Sequence, residues 1–225
     1  MRGLVFRLPL LATLAGGCAA ALAAAPLLYE TGPAQDSAFV RFVNGTGQKL
    51  DVVAGKARLA LTTDKPVSDF QSVKPNIDIK GDFEGAGVRS PIAVKTAPGA
   101  FATVVALVPA GQKAVTTTVL SETPDDFNAL KASIAFYNVD AACKGAAVQV
   151  AGRNVALFTG VAQGSSQRRA INPVQVGVQL MCDGKPRGNA IDLGTLQAGQ
   201  RYSLVLVPSA ATGSRLIFAT DDVAR

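Results

Sequence analysis

Histidine is absent from all 225 residues. Imidazole is the side chain most often used as a general base near neutral pH and a common metal ligand, so its absence removes Ser-His-Asp and Cys-His catalysis and most zinc sites. A serine nucleophile would then depend on Lys, Asp or Glu, and the chain contains neither a Gly-x-Ser-x-Gly elbow nor a Ser-x-x-Lys tetrad. Glycoside hydrolysis needs two carboxylates across a cleft, and aromatic side chains to line it are scarce, with three Tyr and no Trp. Asp125 and Asp126 are adjacent acids without further oxygen donors, which reads as a linker or an N-terminal turn rather than a calcium site. The expectation is a protein with no catalytic residue, no metal and no cofactor.

The residues left for recognition are mostly cations. Arg41 is the only charge in the apolar stretch from Ala38 to Val43. It must reach an outer face, pair with a carboxylate or meet a partner, and structural pairing is the leading reading. Gln167-Arg168-Arg169 and Lys185-Pro186-Arg187 place Arg168, Arg169, Lys185 and Arg187 in turn-like segments, where solvation is the default and an anionic glycan or acidic protein face the alternative. Asn44 and Asn138 read as turn residues. Asn44-Gly45-Thr46 also fits a glycosylation acceptor, but nothing else suggests a eukaryotic secretory route.

Arg2 and Arg7 flank the start of an apolar run from Leu8 to Ala25, which reads as a secretory signal cut before Ala24. Residues 1–23 would be removed, leaving no membrane span. The net charge falls from +6 to +4, because 20 cations then face 16 acids. A rival reading lipidates Cys18, although Leu14 stands one position too early for a good lipobox. After export, Cys143 and Cys182 remain, and an oxidising compartment makes a disulfide the natural expectation.

These residues are carried by strands. Ile77, Ile79, Gly81 and Phe83 alternate with Asp78, Lys80 and Asp82, and Val174, Val176, Val178, Leu180 and Cys182 repeat that period of two. Further β-rich runs are Ala38 to Val43, Thr103 to Val108, Ala114 to Leu120, Ser133 to Tyr137, Tyr202 to Val207 and Arg215 to Thr220. Asn44-Gly45, Pro109-Ala110-Gly111 and Asp183-Gly184 supply reversals. The chain also matches itself: Ala38 to Asn44 parallels Ala132 to Asn138, Val52 to Lys56 parallels Val148 to Arg153, and Pro98 to Pro109 parallels Ala198 to Pro208.

Two tandem antiparallel β-sandwich domains, Ig-like or jelly-roll-like, are therefore expected in an all-β chain. An extended segment spans 24–36, the first domain 37–121, a linker 122–131 and the second domain 132–225. Phe127 and Leu130 predict one helical turn packed between the domains.

Leu28-Tyr29-Glu30 followed by Asp36-Ser37-Ala38-Phe39-Val40-Arg41-Phe42-Val43-Asn44 resembles the start of the AlgF family, periplasmic proteins of alginate O-acetylation. Length, export signal and the strand ending in Val-Pro also fit. The resemblance implies a non-catalytic periplasmic chain needed to acetylate an exopolysaccharide. It would work beside a membrane-bound O-acyltransferase and periplasmic acetyltransferases of the AlgJ and AlgX type. Motif matching makes Leu28, Tyr29, Phe39 and Arg41 the candidate partner-binding residues. Anionic polysaccharide is a further candidate ligand, and no nucleic-acid partner is expected. The competing readings are a two-domain pilus chaperone, which lends a strand to its subunits, and an anionic-polysaccharide-binding module.

Overall fold

A computed structural model describes residues 36–85, 87–109, 111–123 and 128–224. The alternating runs become sixteen strands, and no helix occurs among the described residues. The first eight are β1 (Ala38–Asn44), β2 (Leu50–Ala54), β3 (Ala57–Leu61), β4 (Gln71–Val73), β5 (Ile79–Gly85), β6 (Val88–Val94), β7 (Phe101–Leu107) and β8 (Thr116–Glu122). The second eight are β9 (Ala132–Asn138), β10 (Ala147–Val150), β11 (Ala156–Phe158), β12 (Ser165–Ile171), β13 (Gln175–Cys182), β14 (Lys185–Thr195), β15 (Arg201–Ser209) and β16 (Gly213–Thr220).

The internal repeat extends to complete topology. The first sandwich pairs a β4-β1-β7-β8 sheet with a β3-β2-β5-β6 sheet. Adding eight to each strand number gives the second, β12-β9-β15-β16 with β11-β10-β13-β14. Each copy departs from an all-antiparallel layout at one place, because β1 runs parallel to β7, and β9 to β15.

Strand alternation divides β1 into two buried faces. Val40 and Phe42 enter the first sandwich core with Leu50, Phe83 and Ile92. Val43, on the opposite face, joins Val105, Leu107, Tyr137, Val205 and Val207 in a third core shared by both copies. In β9, Ile134 and Phe136 face the second sandwich while Ala135 and Tyr137 face the joint. Strands covered on both sides need no polar face, which is why β1, β7, β9 and β15 read as near-continuous apolar runs. The β4-β1-β7-β8 and β12-β9-β15-β16 sheets thus bury their outer faces against each other.

Gly45 permits that approach. A Cβ there would lie 2.8 Å from the Ala106 carbonyl oxygen and 3.0 Å from Cγ1 of Val207 in the other copy. The C-terminal segment adds a strap: the Phe70 amide donates to the Asp222 carbonyl at 2.7 Å, and the Ala224 amide donates to the Phe70 carbonyl at 2.8 Å.

Several sequence expectations are corrected. Gln167-Arg168-Arg169 lies in β12 and Lys185-Pro186-Arg187 in β14, so neither is a turn. Ile77 falls in a bend and is 48% exposed, outside the alternating strand. Asn44 makes no hairpin, because β1 and β2 belong to different sheets. Its buried amide donates to the Leu61 and Gln48 carbonyls while Oδ1 accepts the Thr46 amide, which leaves no room for a glycan. Asn138 repeats the arrangement, donating to the Val161 carbonyl and accepting the Asp140 amide. Leu130 is 79% exposed rather than packed between the domains. Phe127, Asp125 and Asp126, the export segment with Cys18, and the candidate residues Leu28 and Tyr29 lie outside the described residues. Asp183-Gly184 does form the predicted two-residue reversal, with φ of 50° and 72° between β13 and β14.

Candidate functional site

The densest polar cluster lies within the joint. Arg41 is wholly buried on β1, and its three donor nitrogens are all engaged. Nε donates to Oγ1 of Thr103 at 3.0 Å, Nη1 to Oδ1 of Asp221 at 2.6 Å, and Nη2 to Oγ of Ser203 at 2.8 Å. The Ser203 hydroxyl donates onward to Oδ1 of Asp221 at 2.6 Å. The guanidinium also lies over the Phe70 ring at 4.5 Å and the Tyr137 ring at 5.3 Å. Arg41 therefore pairs with a carboxylate, and its burial corrects the expectation that it reaches a partner.

Arg168 enters the same network from β12. Its Nη2 meets Oε1 of Glu122 at 2.7 Å and Oδ2 of Asp221 at 2.9 Å. Glu122 ends β8 and Asp221 follows β16, the equivalent strand of the other copy. Each acid is bonded to an arginine of the opposite copy, Asp221 to Arg41 and Glu122 to Arg168. Burial pushes the Asp221 carboxyl upward, but the two guanidinia and the Ser203 hydroxyl outweigh it and hold the group below the ordinary carboxylate range. For Arg168 burial works against the charge, and the Glu122 and Asp221 carboxylates more than offset it, raising its pKa. Tyr137 is pushed up to about 12, chiefly by burial. Ser203 beside an ionised aspartate resembles part of a hydrolytic site, yet both side chains are buried and held by Arg41.

The other sequence candidates separate. Phe39 stacks on Phe101 at 4.5 Å, and Phe101 meets the edge of Phe70 at 4.9 Å, which extends the Arg41 cluster to the rim of the joint. Arg169 is exposed and donates to the Leu157 carbonyl at 2.7 Å, away from Arg168. Lys185 and Arg187 are exposed on β14. Cys143 and Cys182 are bonded, with Cα atoms 5.0 Å apart. The described residues contain no cluster of acids and cysteines able to hold a metal, and no helix long and apolar enough to cross a membrane.

A cleft of about 870 Å³ opens at the other end of the joint. It is lined by the turn after β1, the β7–β8 hairpin and the β15–β16 hairpin, so both copies contribute, with Thr46, Gln48, Gln112 and Thr212 among its polar groups. Arg215 of β16 is its one charged residue, half-buried, with its pKa lowered by that burial. Sequence reading missed Asp221, Glu122 and Arg215. The repeat itself was the available signal for the two acids, since Ser121-Glu122 and Thr220-Asp221 close equivalent strands.

Comparison with curated proteins finds no match. Among solved structures, the C-terminal domain of AlgF from P. aeruginosa is 20% identical, covers 40% of this chain and 98% of its own length, and gives a TM-score of 0.33. A putative cell adhesion protein from Bacteroides uniformis is 11% identical over 84% of this chain and 100% of its own, with a TM-score of 0.31. A protein-family profile described as "Alginate O-acetyl transferase AlgF" matches residues 10–203. On that match, which takes in most of both copies, the chain belongs to the AlgF family of alginate O-acetylation.

Proposed function

We propose that this chain is a non-catalytic periplasmic adaptor for O-acetylation of an exopolysaccharide, alginate above all. In this role it holds AlgJ- or AlgX-type acetyltransferases beside a membrane-bound O-acyltransferase. Keeping donor and acceptor together makes acetyl transfer effectively intramolecular, which raises its rate without a chemical step on the adaptor. The observation that carries the reading is the enclosure of Ser203 and Asp221 in the Arg41 network, where this serine–carboxylate pair is taken up in binding Arg41 of the other domain. Family membership supports the polymer, and the signal-like N-terminus supports the compartment.

The test combines genetics with enzymology. Deleting the gene is expected to abolish polymer acetylation, while the purified chain fails to turn over an acetyl ester. Rapid ester hydrolysis that disappears on changing a single serine would defeat the proposal.

A further inference from the structure

We propose that the cleft between the two copies receives an extended acidic segment of a partner protein, with Lys113, Arg187 and Arg215 supplying the countercharge. This deepens the adaptor reading and rests on it. Two smaller cavities of about 120 Å³ each share residues with the cleft. One shares Thr46, Gln48 and Val108 and adds Lys113 of the first copy. The other shares Thr212 and Arg215 and adds Arg187 of the second. These shared residues set one cavity of each copy beside the cleft, and the three taken together make a trough that carries cations from both copies. No Asp or Glu lines any of the three cavities.

Of the described arginines other than Arg187 and Arg215, Arg153 and Arg169 also stand outside the ion pairs, and the remaining five meet carboxylates. Arg41, Arg58, Arg89 and Arg168 each meet a carboxylate within 2.7 Å. By contrast, Lys113, Arg187 and Arg215 take part in none of the ion pairs of the described residues. A half-buried guanidinium has lost part of its hydration, so a carboxylate brought by a ligand gains more there than at an exposed lysine. The trough lining contains no aromatic ring, hence no flat face on which a pyranose chain could stack. Charge and lining therefore favour an acidic peptide over a polyuronate.

The experiment titrates the isotopically labelled full-length secreted chain with a Glu–Ser repeat peptide and, separately, with oligomannuronate, following backbone amides by NMR at physiological ionic strength. Saturable shifts at Lys113, Thr212 and Arg215 are expected with the peptide, weakened about tenfold or more in K113E/R215E. K113E/R187E, changed at two exposed positions, gives the same readout should R215E disturb β16. The proposal is overturned if the peptide leaves those amides unmoved, if both double variants bind undiminished, or if oligomannuronate shifts the same residues at lower concentration. Co-purification with the AlgJ- and AlgX-type acetyltransferases separates the two readings. Capture retained by both double variants removes the trough and leaves the adaptor, whereas no capture by the unaltered chain removes the adaptor and leaves the titration to decide the trough.

Discussion

Tyr137 is completely buried beside the Arg41 guanidinium, and its hydroxyl has no hydrogen-bond partner among the described residues. Burial of an unsatisfied hydroxyl costs about 1–3 kcal/mol, so the ring is what the site needs and the oxygen opposes it. Tyr137→Phe keeps the cation–π contact and removes the lone oxygen. A gain of about 1 kcal/mol is expected in urea unfolding, and a loss of that size would mean the hydroxyl has a partner of its own. None of this was visible in the sequence, where Tyr137 is one more apolar residue of an apolar strand. Arg41 was the legible residue, since a lone charge in such a run demands a partner, but nothing in a single sequence says that the partner lies 180 positions away.

At the scale of elements, the period of two located the strands that alternate, and matched segments located the duplication. Residues with two demands on them were the illegible ones. β12 carries Ser165 to Ile171 at an edge, paired on one side only to β9, and its polar side chains gave no alternation to read. β14 is an edge strand of the same kind, mostly exposed along its length. The disulfide, in contrast, followed from counting cysteines. It ties the loop between β9 and β10 to the end of β13, the strand that pairs with β10, and the first sandwich has no counterpart. Closing a loop of 39 residues contributes about 4 kcal/mol in the chain-entropy model. Replacing both cysteines with alanine is expected to lower denaturant stability by about that amount, with the loss read by probes in the second sandwich, and an unchanged midpoint would refute the assignment of stability to the bridge.

For the whole molecule, the reciprocal acid–arginine pairs and the third core make two sandwiches one cooperative body. Breaking one side of a buried pair leaves an uncompensated charge, at a cost of about 3–5 kcal/mol. Asp221→Asn should therefore destabilise by that order and split a single unfolding transition into two, as followed by calorimetry; one sharp, unshifted transition would show that the pair does not couple the copies. The same pair sets an acid limit. The Asp221 pKa is held below its ordinary value in the folded chain. Its stabilisation is present above the unfolded value of about 4 and is lost as pH falls through the folded one. Stability of the unaltered chain should drop below about pH 4, and the Asp221→Asn chain should show less of that drop.

The enclosure of Arg41 bears on how contact residues are sought. The stretch from Asp36 to Asn44 holds part of the motif that resembles the family, so it is the natural place to begin mutagenesis. Its side chains are consumed by architecture, with Phe39 stacked on Phe101 and Arg41 bolted to the far half. A substitution there that abolishes capture of an acetyltransferase will report first on whether the halves still close. Only a companion measurement of closure can tell a lost handhold from a sprung joint.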